Sequence, residues 1–259
     1  MKTYGLIGKT LGHSFSRQFF TDKFTREETD AEYLNFELAD IAGFPTVFNG
    51  KEIGGLNVTI PYKQAVMPYL AELSNEAKEI GAVNVIKIEK LKEAEETQKS
   101  KETKGIKGLH LTGYNTDVIG FVGSIRPLLQ PHHTKALVLG TGGASRAIRF
   151  GLKQLGIEVQ SVSRAKTPTT LTYDELTPKI MSEHTVVVNT TPLGTSPNVD
   201  TCPDIPYSLL TEHHLLFDLV YNPSETLFLR QGLEQGAQTK NGLEMLHLQA
   251  LAAWKIWNS

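Results

Sequence analysis

The sequence predicts an α/β fold, and three observations support that prediction. Short runs of β-branched and aromatic residues alternate with helical stretches along the chain. From Thr116 onward the alternation becomes regular, with hydrophobic strand candidates at 135–140, 158–163, 185–190 and 215–221, which favours a parallel, doubly wound sheet. With 259 residues, of which 40% are hydrophobic, the chain is long enough for one large domain or two modest ones.

The first half contains four further strand candidates, at 4–8, 34–38, 56–60 and 83–88. Pro61 ends the third of them. The residues that follow predict a helix over 64–73, because apolar side chains recur at helical spacing at Val66, Met67, Leu70 and Leu73. Lys63 is therefore expected at a junction between a strand and a helix.

Residues 89–104 hold five Glu and five Lys without an apolar period, which predicts a solvated hairpin excursion between strands at 83–88 and 106–111. A charged arm that binds nucleic acid is the alternative, but the balanced charge of the segment and the chain's formal net charge of −2 disfavour it. The last segment, 242–257, predicts a helix that packs on the first domain through Leu243, Leu246, Ala250, Leu251 and Trp254.

Composition also limits the cellular context. We expect no N-terminal secretion signal, because residues 1–8 run directly into a strand-like pattern. The sequence has no run of about 20 apolar residues, and its single cysteine, Cys202, excludes an intramolecular disulfide framework. We therefore expect a cytoplasmic protein without membrane or nucleic-acid partners. No metal site is expected, because the paired histidines at 132–133 and 213–214 diverge and lack a carboxylate at ligand spacing.

Residues 137–146 predict a dinucleotide site, since a hydrophobic strand leads into a glycine turn and then a helix. Gly140 allows the tight turn, and Gly142 removes the side chain that would block a pyrophosphate. The helix N-terminus offers N–H groups and a favourable dipole. Ser145 stands where a third Gly or Ala is usual and is small enough for close packing. An ordinary tight turn is the alternative.

The end of the next strand indicates which dinucleotide binds. NAD binders place an acidic residue there for the ribose hydroxyls, whereas an Arg can pair with a 2′-phosphate. This chain has Ser163, Arg164 and Lys166 there and no carboxylate, which favours NADP over NAD. In the alternative, Arg164 is only a surface charge.

Three polar clusters, at 13–16, 57–63 and 115–117, follow predicted strands of the first half. Ligands of open α/β sheets collect at such strand ends. Strand alternation is expected to send Asn57 and Thr59 to one side. Hydroxyls, amides, one ammonium and one carboxylate suit a small polyhydroxylated acid. In the alternative, Ser14 and Ser16 cap one helix and Asp117 caps the next.

Eight short motifs occur in order along essentially the whole chain. They are His13-Ser14-x-Ser16, Asn57-Val58-Thr59-x-Pro61-x-Lys63, Gly81-Ala82-Val83-Asn84, Asn115-Thr116-Asp117, Gly140-x-Gly142-Gly143-Ala144-Ser145-Arg146, Asn189-Thr190-Thr191-Pro192-Leu193-Gly194, Asp218-x-Val220-Tyr221-x-Pro223 and Gly242-x-x-Met245-Leu246-x-x-Gln249-Ala250. In these motifs the sequence resembles the shikimate dehydrogenases, the NADP-dependent reductases of 3-dehydroshikimate. Each motif alone is modest, whereas eight in the family's order are specific.

The resemblance implies two α/β domains, an N-terminal substrate domain and a Rossmann-type doubly wound dinucleotide-binding domain, with the active site in the cleft between them. The expected bounds are 1–116 plus 242–259 for the substrate-binding catalytic domain and 117–241 for the NADP-binding domain. The implied reaction is the reversible reduction of 3-dehydroshikimate to shikimate by NADPH, a step of aromatic amino-acid biosynthesis.

The resemblance also implies roles for individual residues. Lys63 and Asp117 are the implied catalytic pair, and which of them transfers the proton is left open. The implied substrate ligands are Ser14, Ser16, Asn57, Thr59, Asn84, Tyr221 and Gln249. The implied NADP ligands are Gly140, Gly142, Gly143, Ala144, Ser145, Ser163, Arg164, Lys166, Thr190 and Gly242.

The chain departs from the family pattern at three positions, where Arg17 replaces a usual Pro, Ser163 a usual Asn and Ala165 a usual Thr. The last two changes bear on cofactor choice. Two alternative functions stay open, an NAD-dependent quinate/shikimate dehydrogenase and a nucleotide-binding regulatory module without turnover. A monomer and a homodimer are both compatible with the sequence.

Overall fold

The computed structural model describes residues 1–12, 14–91, 106 and 108–259. His13 and most of the expected hairpin excursion at 89–104 lie outside the described residues. The chain divides into a first unit of residues 1–116 with 250–259 and a second unit of residues 117–249. Each unit contains one six-stranded sheet. No helix in the described part of the chain has both the length and the apolar character needed to cross a bilayer.

The sheet of the first unit is mixed, with the strand order β2-β1-β3-β5-β6-β4. Strand β1 runs parallel to β2 and β3, whereas β5 runs antiparallel to β3 and β6. The strands are β1 (Lys2–Gly8), β2 (Ala31–Glu37), β3 (Ile53–Val58), β4 (Glu72–Leu73), β5 (Val85–Lys90) and β6 (Leu109–Tyr114). The start of β5 therefore lies at the same edge as the carboxyl ends of β3 and β6.

In the described part of this unit, three α-helices connect the strands, α1 (Phe15–Arg26), α2 (Tyr62–Ala65) and α3 (Asn75–Ile80), together with 3-10 turns at Ile41–Phe48 and Met67–Tyr69. The prediction of one helix over 64–73 is wrong, since α2, a 3-10 turn and β4 occupy this segment. Pro68 lies in the 3-10 turn and cannot donate the backbone hydrogen bond that a continuous helix needs. Val66 and Leu70 are nevertheless buried in the core.

Two predicted strands of this unit also need correction. The strand expected at 56–60 ends at Val58, so strand alternation does not govern Thr59 and Ile60, and the Ile60 side chain is 75% exposed. The strand expected at 106–111 begins at Leu109 and continues to Tyr114. It pairs antiparallel with β5 from Lys90 and Leu109 onward, as the predicted hairpin requires.

The sheet of the second unit is entirely parallel, with the order β12-β11-β10-β7-β8-β9. Its strands are β7 (Lys135–Leu139), β8 (Glu158–Val162), β9 (Thr170–Leu171), β10 (Val186–Asn189), β11 (Leu215–Asp218) and β12 (Gln238–Lys240). Counted within the unit, this is the order 3-2-1-4-5-6 of a dinucleotide-binding Rossmann sheet. The prediction of a parallel, doubly wound sheet is confirmed.

The α-helices of the second unit are α4 (Asp117–Ile125), α5 (Gly143–Gln154), α6 (Pro178–Glu183), α7 (Leu227–Glu234) and the first part of α8 (Leu243–Trp257). Short 3-10 turns lie at Arg126–Leu128, Tyr173–Glu175 and Tyr207–Leu209. Both faces of the sheet are covered, since Val138 and Val186 belong to one buried cluster and Leu137 and Val187 to another. Burial on both faces explains the continuous hydrophobic runs of the sequence.

The end of α8 completes the core of the first unit. An ideal Cβ on Gly55 would lie 2.3 Å from Trp257 Cδ1, so the indole packs directly on the backbone of β3. The Trp257 Nε1–H donates to the Ile86 carbonyl at 3.1 Å. Its ring also lies 5.1 Å from that of Tyr4, between centroids.

Candidate active site

Polar residues of the first unit gather at one edge of its sheet. Asn57 pairs in register with Val85, and Val85 with Tyr114. Asn84 therefore comes just before the start of β5, and Asn115 just after the end of β6, at the edge where β3 ends with Asn57 and Val58. The register brings two of the expected polar clusters, 57–63 and 115–117, and the implied substrate ligand Asn84 to one line across the sheet.

A buried tyrosine connects two of the expected substrate ligands. The Tyr33 hydroxyl donates to Asn57 Oδ1 at 2.7 Å, and Ser16 lies near the same hydroxyl, where it opposes the effect of burial on the pKa of Tyr33. Burial raises the pKa of Tyr33 well above its usual value, so the phenol keeps its proton and remains a donor. The ring of Phe20 stacks on that of Tyr33, with centroids 4.8 Å apart.

A second hydrogen-bonded pair fixes Asn84 against the segment that leads to Asp117. Asn84 Oδ1 accepts from the Thr116 amide at 2.7 Å, and Asn84 Nδ2 donates to Thr116 Oγ1 at 3.1 Å. The Asn84 carbonyl accepts from Asn57 Nδ2 at 3.4 Å. Four residues thus form one buried chain of hydrogen bonds, in which each residue fixes the orientation of the next, namely Tyr33, Asn57, Asn84 and Thr116.

Lys63 lies in α2, as expected just after the strand, and its side chain is half-buried. The Lys63 carbonyl accepts from the Val83 amide at 2.7 Å, which ties α2 to the segment before β5. The Thr59 amide donates to the Ile7 carbonyl at 2.9 Å, one residue beyond the end of β3. The turn between Thr59 and Lys63 is thus held by the backbone at both ends.

The capping interpretation is correct for Ser14. Ser14 is the N-cap of α1, and its Oγ accepts from the Arg17 amide at 3.2 Å. Ser16 is the second residue of α1 and lies near the Tyr33 hydroxyl, so it is not the cap of this helix. A capping hydroxyl still has a second lone pair for a ligand.

In the second unit, the glycine turn fits a pyrophosphate. An ideal Cβ on Gly142 would have no neighbouring atom within 4 Å, so the space above this residue is open. Gly142 is the N-cap of α5, and no side chain caps the helix there. Gly143 and Ala144 begin this 12-residue helix, where first-turn N–H groups and the helix dipole favour an anion. The Ser145 hydroxyl donates to the Gly142 carbonyl at 2.6 Å and stiffens the turn.

The backbone conformation at position 140 requires a glycine. Its φ is +106°, and a Cβ there would lie 2.8 Å from Thr190 Oγ1. Thr190, an expected NADP ligand, donates its hydroxyl to the Leu139 carbonyl at 2.6 Å. Thr190 therefore supports the strand end that precedes the turn, and this contact explains its position without a ligand.

The expected adenosine segment begins where β8 ends, beside the glycine turn, since the Gly140 amide donates to the Val162 carbonyl at 2.8 Å. Ser163 Oγ accepts from the Ala165 amide at 3.3 Å. Arg164 is exposed, and no described residue forms a hydrogen bond or an ion pair with it. Lys166, by contrast, is ion-paired with Glu175.

Two buried polar residues support the loops that follow β10 and β11. Asn189 Nδ2 donates to Asp218 Oδ1 at 2.9 Å, and Asp218 also accepts from the Val220 amide and from Thr226 Oγ1. Burial raises the pKa of Asp218 to about 6, against the opposing effect of these three donors. The contacts account for Asn189 and Asp218 as scaffold residues.

The remaining expected site residues of the second unit lie on or near two packed helices. Asp117 is the buried first residue of α4, and Gln249, also buried, belongs to α8. An ideal Cβ on Gly120 would lie 2.4 Å from the Met245 carbonyl, so α4 and α8 are in close contact. Tyr221 is half-buried, and burial raises the pKa of its phenol.

Gly242 has a structural reason that sequence reasoning did not provide. A Cβ there would lie 2.2 Å from the Leu219 carbonyl oxygen, and the Gly242 amide donates to the Val220 carbonyl at 3.1 Å. The two backbones approach too closely for any other residue. Among the residues that the structure describes, no group of three or more His, Cys, Asp or Glu could hold a metal ion.

Sequence reasoning missed Tyr33 and Glu175. Tyr33 lies in the middle of a strand, where an aromatic residue is typical of a core, and nothing local indicates its contact with Asn57. Glu175 has a visible signal, because Thr172-x-x-Glu175 is a capping box. No signal in the sequence indicates that Glu175 pairs with Lys166.

Comparison with known proteins gives concordant matches. The profile of the shikimate dehydrogenase substrate binding domain matches residues 6–86. A shikimate dehydrogenase (NADP(+)) of Desulforamulus reducens is 34% identical over 275 residues, which cover 98% of this chain and 88% of that protein.

Two solved structures match over both units. The shikimate dehydrogenase of Aquifex aeolicus has a TM-score of 0.82 at 32% identity, covering 100% of this chain and 92% of its own. The quinate dehydrogenase of Corynebacterium glutamicum in complex with NAD has a TM-score of 0.80 at 25% identity, covering 98% and 93%.

Proposed function

Since the chain belongs to the shikimate dehydrogenase family, we propose that it catalyses the reversible, NADP-dependent interconversion of 3-dehydroshikimate and shikimate in aromatic amino-acid biosynthesis. The observation that supports this most strongly is the 34% identity to an NADP-dependent relative over nearly the full chain. The open glycine turn before α5 and the exposed Arg164 are consistent with that cofactor.

We assign substrate binding to the polar edge of the first unit. Ser14, Ser16, Asn57, Thr59 and Asn84 would hold the carboxylate and hydroxyls of the substrate, with Tyr221 and Gln249 as further ligands. The buried hydrogen bond from Tyr33 to Asn57 supports this assignment, because it orients the Asn57 amide before any ligand arrives. Tyr33 is thus proposed as a positioning residue.

We assign the chemistry at the substrate oxygen to Lys63 and Asp117. NADPH, when bound, supplies the hydride for the ring ketone. The Lys63 ammonium would stabilise the negative charge that develops on the ketone oxygen, and Asp117 would bind a neighbouring hydroxyl. The pair together would deliver one proton to that oxygen during reduction and take it back during oxidation.

We assign NADP binding to the second unit. The backbone of Gly140, Gly142, Gly143, Ala144 and Ser145 would hold the pyrophosphate. Ser163 and Arg164 would hold the adenosine end, with Lys166 restrained by its ion pair, and Thr190 and Gly242 would border the cofactor.

We also propose that the enzyme is cytoplasmic and works as a monomer or homodimer, without nucleic-acid or membrane partners. The single cysteine supports the cytoplasmic location, and the balanced charge supports the absence of nucleic-acid partners.

The test is absorbance of reduced nicotinamide with purified protein, shikimate or quinate, and NADP or NAD, in all four pairings. We expect rapid turnover with shikimate and NADP. Preference for quinate with NAD would move the assignment to the dehydrogenase class of the Corynebacterium neighbour, and absence of turnover in every pairing would support a regulatory module.

A further inference from the structure

The loop that follows β8 carries two cationic side chains, of which one is in an ion pair with a described residue and the other is not. Arg164 and Lys166 both lie within the segment that would bind the adenosine end of NADP, and residues 163–171 contain no carboxylate. Arg164 is exposed and makes no ion pair with any residue in the described ranges. Lys166 is in an ion pair with Glu175, nine residues further along.

Glu175 is fixed independently of Lys166. Its Oε2 accepts from the Thr172 amide at 2.8 Å and from Thr172 Oγ1 at 3.1 Å, and its Oε1 pairs with Lys166. These hydrogen bonds form the capping box of the 3-10 turn Tyr173–Glu175. The carboxylate is therefore anchored to the backbone, and the pairing requires little further ordering of its side chain.

The loop is also internally tied. The Thr167 amide donates to Thr170 Oγ1 at 3.0 Å, and Thr170 Oγ1 donates to the Ala165 carbonyl at 3.3 Å. Because the loop and the carboxylate are both held in place, the Lys166 ammonium stays close to Glu175, and any other anion must compete with this carboxylate. The hydrogen bond from Lys166, followed by that from the Thr172 amide, lowers the pKa of Glu175 to about 2, so its charge persists at neutral pH.

We propose that Glu175 is a specificity-determining residue, which limits the preference for NADP over NAD by neutralising Lys166 and leaving Arg164 as the principal reader of the 2′-phosphate. This rests on the proposed function, because it takes NADP as the cofactor. Removal of the carboxylate charge should release Lys166 to a second contact with the 2′-phosphate. The affinity for ligands that lack the 2′-phosphate should not change.

The experiment is isothermal titration of the full chain with adenosine 2′,5′-bisphosphate and, separately, adenosine 5′-monophosphate. Glu175→Gln retains an acceptor for the Thr172 amide and removes the charge. We expect it to tighten bisphosphate binding about two- to fivefold, the range of an exposed charge pair, without changing monophosphate binding. The gain should shrink at 0.5 M salt.

Two controls separate the ion pair from general charge. Asp174→Asn removes an equal charge from the adjacent, exposed residue and should leave both affinities at wild-type values. The double variant Lys166→Met, Glu175→Gln should lose the gain. The inference is overturned if Glu175→Gln binds bisphosphate as wild type does, if Asp174→Asn gives an equal gain, or if the gain survives without Lys166.

The same titration distinguishes this inference from the proposed function. A wild-type chain that binds the bisphosphate more tightly than the monophosphate, with no effect of Glu175→Gln, overturns only the role of Glu175. A wild-type chain that binds the two probes equally overturns the NADP assignment as well.

Discussion

Gly142→Ala is expected to weaken NADP binding while leaving the stability of the chain unchanged. Gly142 has φ −74° and ψ −174°, a conformation open to any residue, and its added Cβ meets nothing within 4 Å. Loss of chain entropy in the unfolded state stabilises by about 0.4–1 kcal/mol, and the poorer N-cap costs a comparable amount, about 0.5 kcal/mol. The Tm should therefore stay within about 2 °C of wild type.

The methyl group occupies the space through which a pyrophosphate would approach the N–H groups of α5. Loss of one charge-assisted hydrogen bond costs about 1.5–3 kcal/mol, which corresponds to a rise in Kd of about ten- to hundredfold. The assay is a titration of the ligand-free protein with NADP, with thermal unfolding of the same sample. If Gly142→Ala binds NADP with the same Kd as the wild-type protein, the placement of the pyrophosphate at this turn is refuted.

Gly156→Ala is the matched control. Gly156 follows α5, its φ is +76°, and an added Cβ also meets nothing within 4 Å. Here the left-handed backbone opposes alanine by about 1 kcal/mol, and a fall in Tm of about 2–4 °C is expected. NADP binding should not change. If both variants lose binding and stability together, the effect is a general loss of packing.

Three further outcomes are expected. Lys63→Ala should lower kcat for shikimate oxidation by about 10²–10⁴ with a smaller change in KM, and an unchanged kcat would remove Lys63 from the chemistry. Tyr33→Phe, which leaves the buried Asn57 Oδ1 without its donor, should raise KM for shikimate about tenfold with little change in kcat; a wild-type KM contradicts the positioning role. Burial lowers the pKa of His133 and His214, whose Nδ1 atoms accept hydrogen bonds from the Gln130 and Thr211 amides. As pH falls, these histidines therefore take up protons in the unfolded chain before they do so in the folded chain. The free energy of unfolding should decrease as pH drops below about 6.5. His214→Asn, which cannot be protonated, should flatten the profile of Tm against pH.

The second unit was the more predictable from sequence, and the reason is burial. Its central strands are covered on both faces, so each is a continuous hydrophobic run bounded by turns, and observed strand ends differ from expected ones by few residues. In the segment 64–73 the apolar positions were identified correctly but the element was not. Several backbone conformations would bury Val66 and Leu70, and Pro68 favours one in which the helix is interrupted.

The candidate site was predictable only where chemistry follows from local sequence. Gly140 and Gly142 follow from turn geometry, and their neighbourhood agrees with that reasoning. The role of Tyr33 could not be predicted, because Tyr33 and Asn57 are 24 positions apart in sequence. Only the strand order β2-β1-β3 brings them together in one sheet. Long-range pairing of this kind leaves no periodic signal.

The completion of the first unit by residues 250–259 affects how the chain matures during synthesis. Trp257 packs on Gly55 and hydrogen-bonds to Ile86, yet it leaves the ribosome only after all of residues 117–249. While the Rossmann sheet is made, the apolar face of the mixed sheet that carries Tyr4 is therefore covered by Phe20 and Phe24 of α1 but still lacks the residues of α8. The second unit, uninterrupted in sequence, can fold first. A nascent chain halted before residue 250 would hold a finished cofactor fold beside an unfinished sheet, a species that chaperones recognise by its exposed apolar surface.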